Sequence, residues 1–557
     1  MEVVGIFRGS VIMNEYEILG GLHEIIDRDV EKKMEIWLNK HNVNYYLLYP
    51  LAMTEIGAMN EAPENIGNLF KRCVTSFVYA KAVSLRKDIY VKKFNIPGLK
   101  KFIREYEQNL VPLFQNYRFS REINDINPVS KAKLTACGGH KYQLTKSVVS
   151  DKYREESFYF YGKDSPEKIK EEQNQIAKLH LKFWHKIIPQ QTLISDLEEN
   201  IDKNLYDDCI KIVEKDINKW NSRVRSKIFD NPSQLTLVIA YFYYYAMIRL
   251  ICVRIVTLEG EEYIENADEC IMKFQKERCI QDISSISGLK RDKVEKIVNY
   301  FINNGNANLL EFPLFEVEDK LITIPSLILV NDYQFTVING HYQKNISITN
   351  REKTLSVITE GRIAEVMRNV QNVAVAQTVP YSFRDNEGKI QNSDVDFAIL
   401  DQKRNIGLVI EAKWIDKHYG DEIDKRYGKI LETLNGIFTK QIGKHKDFLR
   451  QSDSIDFLFK DDKKYCHNDL MPRFYYLAVD KRNQMHIDER HMISEYMLIY
   501  FLKKNIVNGE FNIESFWNEI CELQTKFEYI TISTEFHEIP VNEDVVLVEK
   551  DDLHWDK

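Results

Sequence analysis

The sequence lacks the signatures of several common protein classes, beginning with paired metal-binding cysteines. Its eight cysteines include no CxxC pair and show no regular spacing. The nearest approaches to zinc ligands are Cys137 with His140 and Cys466 with His467, and neither has a second paired element at zinc-finger spacing. Buried reduced thiols are therefore the expectation.

No segment has the pattern of a secretion signal or a membrane span. Residues 1–10 contain no basic stretch followed by a long apolar core, so a cytoplasmic location is expected. The run from Leu235 to Ile248 is free of charge but shorter than the roughly 20 residues that a bilayer requires, and Arg249 and Arg254 close it. We predict a buried core helix there and no membrane partner.

Motifs for nucleotide binding and acyl transfer are also missing. The chain has no Gly-rich phosphate loop, no nucleophile elbow and no clear repeat with a period of about 20 to 50 residues. Hydrophobic residues at 44% and charged residues at 29% indicate a globular rather than a disordered protein. At 557 residues, more than one domain is expected.

The most informative segment is 393–414, SDVDFAILDQKRNIGLVIEAKW. It predicts two apolar strands joined by a polar turn across 402–405. Asp396 lies near the start of the first strand, and Glu411 and Lys413 lie at the end of the second. Side chains alternate along a strand, so Glu411 and Lys413 share a face. An antiparallel hairpin would bring all three residues to one edge of the sheet.

This grouping of charges suits metal-dependent hydrolysis. Carboxylate oxygens bind hard divalent cations such as Mg²⁺, with positions left for water and phosphate oxygens. A neighbouring lysine can neutralise charge that develops on the phosphate or orient the attacking hydroxide. The alternative is a surface hairpin with an exposed ion pair, which contributes little to stability.

Asp396 followed by Glu411-x-Lys413 resembles the motif of the PD-(D/E)xK nuclease superfamily, although Val395 stands where the motif has Pro. The resemblance implies that Asp396 and Glu411 bind Mg²⁺ or Mn²⁺ and that Lys413 assists the nucleophile. The flanking pattern is similar to the superfamily's core, with a helix, three strands, a helix and a strand. The predicted flanking elements are a helix at 353–370, a strand at 373–379, a helix at 429–449 and a strand at 474–479.

The resemblance also implies roles for residues on the two helices. The first helix often supplies an acid that faces the metal; Glu365 is the first choice here and Glu360 the second. They lie five apart, so both can hardly face the site, and a solvated helix acid is the alternative for each. Gln441 resembles the Gln that begins a run on the second helix in the exonuclease-like branch, and His445 stands where Tyr is usual. An ordinary helix-surface Gln is the alternative.

The net charge of −8 is unfavourable for a nucleic-acid enzyme, because affinity for phosphate backbones comes largely from Lys and Arg. Basic residues are nevertheless frequent between Lys413 and Arg450. Acidic residues interrupt them, so a solvated helix of mixed charge is the alternative to a phosphate-binding track. The predicted nucleic-acid contacts are Lys417, Lys440, Lys444 and His445.

The pattern along the chain predicts a multidomain protein of the α plus α/β class. Helical periodicity dominates the first part, and 279–304 resembles a helix-turn-helix with its turn at Gly288, followed by a segment at 309–325 that could form the hairpin of a winged helix. Such a module either reads DNA or serves in protein packing. The predicted domains are a helical region at 1–265, with helices at 18–38, 99–114, 166–188 and 193–228; a winged-helix-like module at 270–345; a restriction-endonuclease-like α/β domain with a mixed central sheet at 346–534; and an acidic tail at 535–557.

The expected function is a Mg²⁺- or Mn²⁺-dependent deoxyribonuclease, with RNA as an open alternative substrate. By analogy, the arrangement resembles bacterial restriction and anti-phage defence effectors, in which an additional region binds a partner or trigger. Oligomerisation stays open. Two other functions are carried forward: a non-catalytic nuclease-fold scaffold that binds nucleic acid or assembles a complex, and a DNA-binding regulator that uses 279–304.

Overall fold

The computed structural model describes most of the chain. The described residues are 15–60, 66–85, 93–124, 133–138, 141–145, 166–221, 224–258, 264–305, 309–330, 333–385, 387–413, 432–480, 485–487, 489–522, 536–541 and 544–549.

Helices and strands are both frequent in these residues, as the predicted mixed class requires. The helices are α1 (Glu15–Lys40), α2 (Tyr49–Asn60), α3 (Ile66–Ser84), α4 (Ile96–Glu105), α5 (Val111–Asn124), α6 (Pro166–Ile187), α7 (Ile194–Glu199), α8 (Lys203–Asn221), α9 (Ser233–Leu258), α10 (Lys276–Ser287), α11 (Arg291–Phe301), α12 (Pro325–Leu329), α13 (Tyr333–Gln343), α14 (Arg351–Met367), α15 (Ile442–Leu449), α16 (Ser454–Phe459), α17 (Glu495–Lys504) and α18 (Ile513–Glu522). The strands are β1 (Lys133–Gly138), β2 (Lys141–Thr145), β3 (Arg225–Ser226), β4 (Met272–Gln275), β5 (Phe315–Val317), β6 (Lys320–Thr323), β7 (Ile348–Thr349), β8 (Val373–Arg384), β9 (Ile390–Asp401), β10 (Ile406–Lys413), β11 (Arg473–Asp480), β12 (Met485–Ile487), β13 (Arg490–Ser494), β14 (Ile506–Val507), β15 (Glu510–Phe511), β16 (Phe536–Val541) and β17 (Asp544–Glu549). π-helical turns occur at Asn44–Leu48, Tyr106–Leu110 and Ile437–Gln441.

The chain forms two compact units, and each is assembled from separated stretches of sequence. Unit 1 comprises Met1–Asn124, Lys170–Arg351 and Asp416–Ile423; unit 2 comprises Asp125–Ile169, Glu352–Ile415 and Asp424–Lys557. This division differs from the predicted boundaries. The helical region and the winged-helix-like module share unit 1, and residues 125–169 join the carboxy-terminal unit.

The apolar helix α9 lies at the centre of unit 1. By length and composition Ser233–Ile255 could cross a membrane, but 78% of its most apolar window is buried inside the protein. It therefore packs as the predicted core helix, although it is longer than the run at 235–248. The helix predicted at 193–228 is interrupted, because the Asp202 side chain accepts hydrogen bonds from the backbone N–H groups of Asn204 and Leu205 and starts α8.

A three-stranded sheet in unit 1 accompanies α10 and α11. Its strand order is β4-β6-β5, so the predicted helix pair and the predicted hairpin are both confirmed. Gly288 ends α10 with a φ of 72°, a conformation that favours glycine. Two of the basic side chains on α11 are neutralised locally, since Arg291 pairs with Glu277 and Lys293 pairs with Asp230.

A six-stranded sheet of order β12-β13-β11-β10-β9-β8 forms the centre of unit 2. Strands β8, β9 and β10 are antiparallel neighbours, and β10 pairs with β11 in parallel. A parallel connection requires a crossover, and α15 lies in that crossover. The predicted order of helix, three strands, helix and strand is confirmed by these elements.

Apolar layers cover both faces of this sheet, which explains why six consecutive residues of β10 are buried. One face packs against α14, α17 and α18. The other face packs against α15 and α16. Leu408 and Ile410 belong to the first layer, and Val409 belongs to the second. Alternation therefore places Glu411 on the α15 side.

A second sheet in unit 2 corrects two predictions. Its order is β1-β2-β17-β16, so it joins residues 133–145 to residues 536–549. Residues 133–145 fall within the predicted helical region at 1–265, and 535–557 was predicted as an acidic tail. The described parts of both segments form hairpins, and β2 pairs with β17 in parallel. Pairing with a strand so distant in sequence leaves no local pattern that could predict it.

A buried carboxyl in unit 1 predicts a pH-dependent stability. Glu55 is 1% exposed and accepts the Ser326 backbone N–H at 2.8 Å, and burial raises its pKa to about 7. An acid with a raised pKa contributes stability below its ordinary pKa of 4.5, and this is lost as pH rises through about 7. Between pH 4.5 and pH 8, we expect the free energy of unfolding of Glu55→Gln to rise by about 3 kcal/mol relative to that of wild type. Denaturant unfolding at both pH values measures this gain.

The exposed Glu107→Gln is the matched control, and its stability relative to wild type should change little over the same range. If the difference in unfolding free energy between Glu55→Gln and wild type is the same at both pH values, the raised pKa of Glu55 in the folded protein is contradicted.

Candidate functional site

Three charged side chains meet where β10 ends. Continuing the antiparallel pairing of Ile410 with Phe397 places Glu411 opposite Asp396. Lys413 Nζ lies 3.5 Å from Glu411 Oε2 and 4.0 Å from Asp396 Oδ2. The hairpin geometry predicted from the sequence is confirmed, and it brings the two acids and the lysine together.

Asp396 is held as a buried acceptor. Its side chain is 9% exposed, and Oδ2 accepts the backbone N–H of Ala412 at 2.8 Å. Burial and the neighbouring Glu411 raise the pKa of Asp396, while Lys413 and the Ala412 N–H oppose this rise. The raised pKa means that burial, reinforced by the charge of Glu411, disfavours the ionised form of this carboxyl.

Glu411 is buried more deeply, with 1% of its side chain exposed. Its two oxygens have different surroundings. Oε1 lies 2.6 Å from His445 Nε2, whereas Oε2 is buried with no hydrogen-bond partner among the described residues. The Lys413 ammonium, 3.5 Å from Oε2, is its nearest recorded cation. A buried carboxylate oxygen with no hydrogen bond is costly, so Oε2 is suited to an additional ligand.

A strained residue on β8 lies beside this cluster. Thr378 has a φ of 50° and occupies the position opposite Asp396 in the β8–β9 register. A β-branched residue in this left-handed conformation costs on the order of 1–3 kcal/mol, and such strain is concentrated at functional sites. The Thr378 hydroxyl donates to Glu360 Oε2.

The strain coincides with a change of face along β8. Ala374 and Ala376 pack in the same apolar cluster as Tyr381 and Phe383, although strict alternation would place these pairs on opposite faces. Thr378 lies between the two pairs. The change of face turns Tyr381 toward α15, where its hydroxyl meets His445.

The structure corrects the choice of helix acid. Glu365 is exposed, whereas Glu360 is 1% exposed and hydrogen-bonds to Thr378. Burial raises the pKa of Glu360, and the charges of Asp394 and Glu411 raise it further. Periodicity identified α14 but not which of its faces packs against the sheet. Five residues of an α-helix correspond to about 500° of rotation, so Glu360 and Glu365 lie on different faces.

The prediction that His445 contacts nucleic acid is wrong for the same reason. Its side chain is 0% exposed, between Glu411 and the Tyr381 hydroxyl, with Nδ1 2.6 Å from that hydroxyl. Sequence reasoning missed this link, and the available signal was that α15 presents Ile442, His445, Phe448 and Leu449 to the sheet at helical spacing.

The other predicted residues of this helix have varied positions. Gln441 ends the π-helical turn and is partly exposed, one turn before His445. Lys440 is exposed, and Lys444 Nζ donates to the backbone oxygen of Asn392 at 3.2 Å. Lys417 lies outside the described residues. π-helical turns are frequent at functional sites because they realign the side chains that follow.

The donor set fits a hard divalent cation that takes few protein ligands. No group of three or more His, Cys, Asp or Glu side chains in the described ranges forms a ready metal cage. Mg²⁺ usually binds one or two carboxylates and completes its shell with water and phosphate oxygens. Asp396 and Glu411 supply two carboxylates, and Glu411 Oε2 has no hydrogen bond within the described part of the chain.

No protein-family model, curated protein or solved structure matched the chain. The cluster's own geometry is therefore what supports a function.

Proposed function

We propose that the protein is a metal-dependent phosphodiester hydrolase of the PD-(D/E)xK type, with DNA as the favoured substrate. The observation that carries the proposal is the convergence of Asp396, Glu411 and Lys413, with Lys413 Nζ within 4.0 Å of both carboxylates. Two buried acids beside a partly exposed lysine destabilise the fold, because burial beside Glu411 disfavours the ionised form of Asp396. Such destabilising groupings are concentrated at functional sites.

The surrounding architecture supports the same proposal. An antiparallel meander of three strands, a crossover that contains α15 and a parallel fourth strand place the cluster at the end of β10. This is the mixed sheet that the resemblance implies. The site is also open on one side, since the Lys413 side chain is 32% exposed while Glu411 is buried.

In the proposed reaction, Asp396 and Glu411 would hold the divalent ion. When bound, the ion supplies Lewis acidity and lowers the pKa of a water molecule. Lys413 is the partly exposed cation of the cluster, so its ammonium can contact a phosphate oxygen and stabilise the negative charge that develops during attack. Glu360, which is buried and close enough for its charge to act on Asp396, adds negative potential that favours cation binding.

Incubation of the purified full-length protein with linear DNA, circular DNA and RNA tests the proposal directly. We expect cleavage with Mg²⁺ or Mn²⁺ and none with EDTA. The pattern of products separates endonucleolytic from exonucleolytic cleavage. If none of the substrates is hydrolysed in the presence of metal, a non-catalytic scaffold becomes the better proposal.

Glu360 and Glu365 provide a matched pair of variants on one helix. We expect Glu360→Gln to weaken Mn²⁺ binding and cleavage by about 10-fold or more, because it removes a buried charge beside the cluster. Glu365→Gln should behave like wild type, since its side chain is exposed. Rates measured across a Mn²⁺ titration check both expectations. The opposite ranking of the two variants would exclude Glu360 from the site.

Unit 1 is proposed to regulate this activity by binding a partner or trigger, as in a restriction or defence effector. An unregulated nuclease would attack the genome of its own host, which favours control by an additional unit. The ion pairs on α11 favour a protein partner over DNA for the three-stranded module.

A further inference from the structure

We propose that His445 is a positioning residue that orients Glu411 for cation binding. This inference rests on the proposed function, because it assigns a role within the same site. It concerns a residue that contacts neither substrate nor cation and acts through the carboxylate it holds.

His445 lies in the middle of a buried chain of hydrogen bonds. Its Nε2 is 2.6 Å from Glu411 Oε1, and its Nδ1 is 2.6 Å from the Tyr381 hydroxyl. Its side chain is 0% exposed and that of Glu411 is 1% exposed. The chain therefore links β8, α15 and β10 through side chains that water does not reach.

The chemistry of the groups sets the direction of the bond between His445 and Glu411. An ionised carboxylate can only accept, so His445 Nε2 must carry a proton toward Glu411. In a neutral imidazole with its proton on Nε2, the lone pair on Nδ1 accepts the Tyr381 O–H. A hydroxyl that donates to Nδ1 in this way favours the tautomer that donates to Glu411.

Packing holds this arrangement in place. The Tyr381 ring stacks on Phe448 with centroids 4.0 Å apart and planes inclined by 17°. His445 follows the π-helical turn at Ile437–Gln441 by one helical turn. The extra residue in such a turn changes the direction of the side chains after it, which lets α15 place both His445 and Phe448 against the sheet.

The consequence for Glu411 is a difference between its two oxygens. Oε1 is held by His445, so rotation of the carboxylate is restricted, and Oε2, beside Lys413, has no hydrogen-bond partner among the residues that the structure describes. A carboxylate that is already oriented loses less freedom when it binds a cation. Removal of such outer hydrogen bonds typically weakens metal binding or activity by about 10- to 100-fold.

The test measures Mn²⁺ binding to the full-length protein by titration calorimetry, together with cleavage rates across a Mn²⁺ titration. His445→Ala should weaken Mn²⁺ binding by about 10- to 100-fold and recover part of its rate at saturating Mn²⁺. His445→Gln, whose amide N–H can replace the Nε2 donor, should stay within about 10-fold of wild type. Tyr381→Phe keeps the stack on Phe448 but removes the hydroxyl, and should weaken binding to an intermediate degree.

Leu458→Ala is the matched control, because Leu458 is 2% exposed in the same apolar layer. It should lower the melting temperature without changing Mn²⁺ affinity. Equal Mn²⁺ affinity in wild type and in all three His445 and Tyr381 variants would overturn the inference. If His445→Ala fails to fold, Tyr381→Phe decides the question, because wild-type Mn²⁺ affinity in that variant would overturn the inference.

Glu411→Gln separates the failure of this inference from the failure of the proposed function. Unchanged Mn²⁺ affinity in Glu411→Gln would contradict the proposed cation site itself. Weakened affinity in Glu411→Gln, with wild-type affinity in His445→Ala and Tyr381→Phe, would support the site and contradict only the positioning role of His445.

Discussion

Glu411→Gln and Asp396→Asn are each expected to reduce metal-dependent cleavage by at least about 100-fold, at the scale of a lost transition-state contact. Each substitution keeps the shape of the side chain and removes one of the two charges that would bind the cation. Cleavage rates at saturating Mg²⁺ or Mn²⁺, together with Mn²⁺ titration calorimetry, measure the effect. Undiminished cleavage by Glu411→Gln would contradict the proposed site.

The fold should tolerate both substitutions. Burial and the neighbouring Glu411 raise the pKa of Asp396 to about 8, so near pH 7 the metal-free fold already accommodates a neutral side chain at this position. The exposed Asp461→Asn is the matched control for loss of a carboxylate and should retain wild-type cleavage. A sharply lowered melting temperature in Asp396→Asn would indicate a structural role for this carboxylate.

Lys413→Ala is expected to lose about 100- to 1000-fold in turnover while it retains cation and DNA binding. The ammonium lies 3.5 Å from Glu411 Oε2, so its removal lowers the positive charge near the cation site and should leave Mn²⁺ affinity equal or slightly tighter. Single-turnover cleavage and Mn²⁺ calorimetry separate the two effects.

Lys503→Ala, an exposed lysine on α17, is the control for loss of a positive charge. Its turnover should equal that of wild type. Normal cleavage by Lys413→Ala would exclude Lys413 from the chemistry, and parallel loss of Mn²⁺ binding and turnover would point to a role in holding the carboxylates.

The hairpin that carries the candidate site could be predicted because all of its determinants are local. Two short apolar runs specify β9 and β10, and the polar residues at 402–405 specify the turn between them. With the register that this turn imposes, the positions of Asp396, Glu411 and Lys413 follow.

The residues around that hairpin were harder to predict, because their positions depend on how helices pack against the sheet. Helical periodicity located α14 and α15 but not the rotation of α14, so Glu365 was preferred to the buried Glu360. His445 was predicted as a nucleic-acid contact because basic residues surround it in the sequence. Its burial becomes clear only when Glu411 and Tyr381 are placed beside it.

The four-stranded sheet lay beyond any local pattern. Strands β1 and β2 form one hairpin and strands β16 and β17 another, but nothing near either hairpin reveals that β2 pairs with β17. The second segment is also rich enough in acids to suggest a tail. Side-chain alternation can suggest that a strand exists, but it does not say which strand lies beside it.

The parallel pairing of β2 with β17 has a consequence for the synthesis of this chain. The paired residues Lys141 and Val545 are about 400 positions apart, so β2 emerges from the ribosome long before its neighbour exists. At roughly 5–20 residues per second, the delay is about 20 to 80 s. During that time one backbone edge of the β1–β2 hairpin has no strand to pair with and can recruit strands from other nascent chains. Slower elongation or early termination should therefore increase aggregation in the cell, even when the released fragments contain every residue of α1 to α13.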